Sequence, residues 1–171
     1  GFSTGSAIGQ TVILGAVNLV FTLLAMSLID KIGRKKLLYV GTIGMTISLG
    51  IFSWAFISGN TEGWLLLGIL VCYVAFFASS MGAVVFVLLT EIFPNNIRSR
   101  GVAIGSFSNW IVNGGITFLF PVVVGAFSDG KGIGYSFAFF SIMTLTGFFF
   151  FKRFLFETTN KTLEEIEFEN K

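Results

Sequence analysis

The sequence predicts an all-α membrane protein with five transmembrane helices. Five charge-free runs, residues 1–29, 37–61, 63–90, 101–128 and 132–151, carry that prediction. Each supplies the roughly 20 mostly apolar residues that cross a hydrocarbon core. Composition agrees: 54% of residues are hydrophobic, 22 are Phe and 12% are charged, against about 25% charged in an ordinary soluble domain. A buried parallel sheet also gives apolar runs, but of about 4–8 residues bounded by turn signals, so length decides for helix.

The placement of basic residues orients the bundle. Lys31, Arg34, Lys35 and Lys36 follow the first run, Arg98 and Arg100 the third, and Lys152, Arg153, Lys161 and Lys171 the fifth, which leaves Lys131 as the one basic residue on the opposite side. Lys and Arg accumulate in cytoplasmic loops. The chain is therefore expected to start outside and to end with a cytoplasmic C-terminus, in a plasma or inner membrane.

The five helices are expected at about 6–29, 37–57, 65–91, 101–127 and 135–154, within a membrane unit of residues 1–156. The loop DKIGRKK is short enough to make the first two helices antiparallel neighbours. Trp64 is placed to anchor the third helix at the membrane interface, and Pro94 in EIFPNNIRSR ends it. Pro121 lies inside the fourth, where neighbouring helices can satisfy the backbone it frees. Residues 157–171 form an acidic cytoplasmic tail in which Thr162 and Glu165 make a capping-box pattern, so a short tail helix is expected. A start at Gly1 that enters the first helix from outside points to a longer protein with at least one preceding span.

Chemistry inside the spans is sparse. There is no His, the five charge-free runs hold no charged acid or base, with Glu91 at an inner end of the third helix and Lys152 and Arg153 in the last turn of the fifth, and no Ser or Cys has a base partner nearby in sequence, which argues against an enzyme. Clusters that would hold zinc are absent, and neither a metal nor a cofactor is expected. The basic groups lack the interleaved aromatics of a nucleic-acid surface. Cys72, in an apolar run, reads as a small buried core residue.

The polar side chains that remain are neutral: Asn18 in the first helix, and Asn109, Trp110 and Asn113 in the fourth. Asn109 and Asn113 are four residues apart and share a helical face. Both lie midway along a span, where an unsatisfied amide is costly. Amides of this kind either pair between helices at about 0.6 kcal/mol each or line a wet cavity, and for Asn18 the pairing role is at least as good a reading. The cavity reading is favoured for the group in the fourth helix. Neutral donors and acceptors beside an aromatic ring suit a sugar, whose hydroxyls take hydrogen bonds while its apolar face packs on the ring. At the inner end, Arg34, Glu91, Arg98 and Glu157 alternate in sign over three segments, a pattern suited to an ion-pair network that closes one side and opens during transport.

The stretches GAVNLVFTLLAMSLIDKIGRKKLL, YVAFFASSMGAVVFVLLTEIFPNNIRSRG, GSFSNWIVN and ETTNKTLEEIE resemble the sugar-porter branch of the major facilitator superfamily, which contains glucose facilitators and bacterial proton-coupled sugar symporters. The resemblance covers essentially the whole chain. It implies the last five of twelve helices, the greater part of the C-terminal six-helix half, with the absent N-terminal half and the lipid bilayer as partners. It implies sugar contacts at Asn18, Asn109, Trp110 and Asn113, an inner loop motif at Asp30, Gly33, Arg34 and Lys35, and charge-network positions at Glu91, Arg98 and Glu157. Where the family commonly carries Gly-Pro and then Trp, this chain has Gly82, Ala83 and then Phe86. Phe86 keeps an aromatic wall without the indole N–H, and loss of the prolines is expected to leave the third helix straighter. The tail motif is also altered, reading Phe156, Glu157, Thr158, Thr159 and Asn160. The function implied is alternating-access transport of a neutral sugar, proton-coupled in the full-length protein. Two alternatives are transport of another polar uncharged solute, and a non-transporting membrane fragment whose amides are structural.

Overall fold

Apolar length sets the architecture. The computed structural model describes residues 4–127 and 129–155, and every element among them is a helix: α1 Thr4–Ile32, α2 Arg34–Ser58, α3 Gly63–Ser79, α4 Met81–Ile92, α5 Arg98–Gly125 and α6 Gly132–Phe154. Taken with α3 and α4 as one span, five segments are long and apolar enough to cross a membrane. The tail helix expected over 157–171 lies outside the described residues.

The helices overrun the charge-free runs at the basic end of the bundle. α1 continues to Ile32, α2 begins at Arg34, and α5 begins at Arg98. Absence of charge measures the part of a helix that lies in hydrocarbon, whereas the backbone goes on winding into the polar interface. The expected DKIGRKK loop therefore reduces to Gly33, with φ 95° and ψ 149°. That conformation is almost confined to glycine, and it reverses the chain in one residue.

α2 is the centre of the bundle. It carries more of the described buried residues than any other helix, among them Leu38, Thr42, Met45, Leu49 and Phe52, while α5 carries none. α6 and α3 pack on α2, and α1 packs mainly on α3, meeting α2 and α4 through Ala25 and Ile29 against Leu37, Leu38, Val84 and Leu88. Two hydroxyl bonds tie α2 to α6: Ser53 Oγ donates to the Gly134 carbonyl at 2.8 Å, and Ser141 Oγ donates to the Thr46 carbonyl at 2.8 Å. Between membrane helices such bonds fix register, because lipid tails are as apolar as the packing side chains and supply no hydrophobic driving force.

The third span is not straight, contrary to the expectation from its missing prolines. It breaks at Ser80, which has φ −132° and ψ −89° and separates α3 from α4. Ser80 Oγ donates to the Phe76 carbonyl at 2.6 Å, and Ser79 Oγ donates to the Ala75 carbonyl at 2.7 Å. The Ser80 N–H turns instead to the Phe77 carbonyl at 3.2 Å. Serine hydroxyls that return to the preceding turn compete with the helical ladder and bend it. The fully buried Ser80 fits there because Gly41 of α2 lies against it: a Cβ on Gly41 would stand 1.8 Å from Ser80 Oγ and 2.1 Å from Ser80 Cβ.

Candidate functional site

The broken span, α5 and α6 border an open cavity of about 800 Å³ against α2, in which Asn109 and Asn113 are exposed. Met45 and Leu49 of α2 form its floor, Tyr73 and Phe77 come from α3, Gly82 and Phe86 from α4, Asn109, Asn113 and Ile116 from α5, and Phe140, Thr144 and Phe151 from α6. None of the lining residues is an acid or a base. The volume lies within the roughly 300–1,000 Å³ of small-molecule sites, and a mostly apolar wall with a few polar groups is their usual make-up.

Three of the sequence candidates meet in this cavity: Phe86, Asn109 and Asn113. One helical turn separates the two amides, so both project from the same stripe of α5. Neither amide side chain is hydrogen bonded to another described residue. Trp110 stands next to Asn109 but is rotated about 100° around the helix, lies outside the cavity lining and is 68% exposed. Asn18, on α1, is exposed and also outside the lining.

Two polar contributors escaped the sequence reading. Thr144 of α6 lines the cavity while its hydroxyl donates to the Phe140 carbonyl at 2.8 Å. Tyr73 of α3 lines it with its ring stacked on Phe77 at 6.3 Å between centroids. A Tyr inside an apolar run reads as one more aromatic packing residue, and only the fold places it in a cavity wall.

At the basic end, Arg34 Nη2 lies 2.8 Å from Glu91 Oε1, a charge-assisted hydrogen bond joining α2 to α4 with side chains only 13% and 22% exposed. Arg34 opens α2 and Glu91 lies in the last turn of α4, so each charge opposes the dipole of its own helix. Their placement serves the bond between the helices. Lys35 reaches the face of Tyr39 one turn on, with Nζ 5.9 Å from the ring centroid. Arg98 Nε donates to the Phe93 carbonyl at 3.3 Å, and its Nη2 is buried without a partner among the described residues. Asp30 lies in the last turn of α1 with its side chain outside the description, and Glu157 is outside the described residues.

The family model described as "Sugar (and other) transporter" matches residues 1–169. The chain belongs to this family. It is 39% identical over 173 residues to the D-xylose-proton symporter of Escherichia coli strain K12, covering 98% of this chain and 34% of that protein. It is 34% identical over 167 residues to the arabinose-proton symporter of Bacillus subtilis strain 168, covering 98% of this chain and 35% of that one. A solved structure of the E. coli proton:xylose symporter XylE, bound to 6-bromo-6-deoxy-D-glucose, superposes with a TM-score of 0.88 at 38% identity over 99% of this chain and 36% of that one. The fold is thus that of part of a major facilitator transporter, in a family of transporters. The chain spans about a third of the length of these relatives.

Proposed function

We propose that this chain forms the last five spans of a transporter for a neutral sugar, with Phe86, Asn109 and Asn113 on the wall of the sugar site. The cavity carries the reading. It is large enough for a monosaccharide, it is lined by no charge, and it holds two amides without partners among the described residues. Structural amides pair between helices, and these do not pair among the described residues. Each offers a carbonyl acceptor and two N–H donors, which suits adjacent sugar hydroxyls, while Phe86 and its apolar neighbours pack on the C–H face of the ring. An ionic solute would leave its charge unpaired in this wall, at a cost of several kcal/mol.

The uncovered α5 fits the same reading, since a helix without one buried residue has a face left for the other half of a two-part transporter. Asn18 and Trp110 are assigned to the site only in that assembled protein. The Arg34–Glu91 pair, with Gly33, Lys35 and Arg98 around it and Asp30 and Glu157 contributing from the adjoining segments, is the cytoplasmic gate that holds the inner ends of α2 and α4 together while the site faces outward. Proton coupling follows the D-xylose-proton and arabinose-proton symporters that the chain is similar to, with the proton carried by the other half of the protein.

Uptake of D-xylose, arabinose and D-glucose by the full-length protein, with and without a protonophore, tests the assignment. Asn109→Ala is expected to reduce sugar affinity about tenfold or more, the scale of a lost hydrogen bond with its partner left unpaired. Unchanged uptake and affinity in Asn109→Ala and Trp110→Ala returns the amides to a structural role. Uptake indifferent to the protonophore removes the coupling.

A further inference from the structure

Tyr73 enters the cavity on different terms from its neighbours. It lies on α3, one turn before Phe77, and the stacked pair, 17° from parallel, holds the Tyr73 ring in the wall. Half-buried, it lines the same space as Phe86, Asn109 and Asn113. Its hydroxyl makes no hydrogen bond with any described residue. Tyr hydroxyls removed from bulk water ordinarily find a partner. Tyr73 is only half-buried, and its hydroxyl is open to whatever fills the cavity.

Phe86 stands where the resemblance to sugar porters places a Trp, and it brings an aromatic face with no donor. Tyr73 and Phe86 belong to the two pieces of the same broken span, and both border one cavity. A phenol both donates and accepts, whereas an indole only donates. We propose that Tyr73 is a specificity-determining residue of this site, its hydroxyl bonding one sugar hydroxyl at the α3 end of the cavity, about 20 Å along the span from Phe86. The proposal rests on the sugar-site reading above and adds to it a rank order among sugars. A sugar lacking the hydroxyl that meets Tyr73 leaves a polar group of the wall unpaired, and sites built this way discriminate against the deoxy analogue.

The test uses the full-length protein and whichever of D-xylose, arabinose and D-glucose binds best, together with its monodeoxy analogues. Wild type is expected to bind one analogue about tenfold more weakly than the parent, the size of one hydrogen bond. Tyr73→Phe is expected to bind the parent about tenfold more weakly and to treat that analogue and the parent alike. Equal affinity of Tyr73→Phe and wild type for every sugar overturns the proposal, as does an equal loss for every sugar. Asn109→Ala run in parallel separates the two levels: if it loses affinity while Tyr73→Phe does not, only the role of Tyr73 falls. If neither variant loses affinity, or no sugar binds, the sugar site falls and Tyr73 with it.

Discussion

Gly41→Ala is the sharpest structural perturbation of the broken span. The new Cβ would stand 2.1 Å from Ser80 Cβ and 1.8 Å from Ser80 Oγ, with the Phe76 carbonyl oxygen at 3.1 Å. Carbon atoms rest at about 3.5–4.0 Å. Rotating the Ser80 side chain relieves the oxygen at the expense of its 2.6 Å bond to Phe76, but it does not move the Cβ. α2 and the α3–α4 junction must therefore separate by more than about 1 Å, in the middle of the most buried part of the bundle. Overpacking on this scale costs about 1–3 kcal/mol, or roughly a 5- to 150-fold shift toward unfolding. Equilibrium unfolding of the purified full-length protein in mixed micelles measures it. Ser80→Gly combined with Gly41→Ala removes both offending atoms and is expected to recover most of the loss, leaving the Phe76 oxygen as the remaining tight contact. If Gly41→Ala is as stable as wild type, or if Ser80→Gly gives no recovery, the close approach of α2 to Ser80 is not what shapes the break.

Further consequences follow at the proposed gate. Arg34→Gln or Glu91→Gln removes the 2.8 Å ion pair between largely buried side chains, and a loss of about 1–3 kcal/mol of inner closure is expected. That appears as faster modification of a cysteine placed on the inner side of the cavity, and an unchanged rate contradicts the gating role. Gly33→Ala forces a Cβ into a conformation with φ 95° and is expected to cost about 1–3 kcal/mol, read by the same unfolding assay. A neutral Gly33→Ala substitution means that the one-residue turn between α1 and α2 rearranges freely.

The spans were legible because hydrocarbon permits so little: a run without charge and longer than about 17 residues has few other fates. Their ends were less so, because Arg34 and Arg98 lie in helix beyond the hydrocarbon, where charge no longer forbids them. The break at Ser80 was illegible for a different reason. Two adjacent serines are ordinary in a membrane helix, and what makes them a break is Gly41, some forty residues earlier on another helix. The amides announced themselves as polar groups in an apolar run, and the i, i+4 spacing put Asn109 and Asn113 on one stripe. The same geometry turns Trp110 about 100° away from them, which adjacency in sequence conceals. Tyr73 gave no signal, since a phenol in an apolar run has the statistics of a packing residue until the cavity around it is known. Arg34 and Glu91 were paired in advance only by sign and side of the membrane, and the 2.8 Å contact supplies the geometry.

The central claim is that sugar occupies the space in front of Asn113. Asn113→Cys, in the full-length protein with its other cysteines replaced, including Cys72, which is exposed and not the buried core residue its apolar run suggests, puts a thiol on that wall. A small thiol reagent then reports occupancy directly. Saturating concentrations of the transported sugar are expected to slow labelling in proportion to occupancy, while an untransported charged analogue leaves the rate unchanged. A labelling rate indifferent to every sugar the protein transports contradicts the claim.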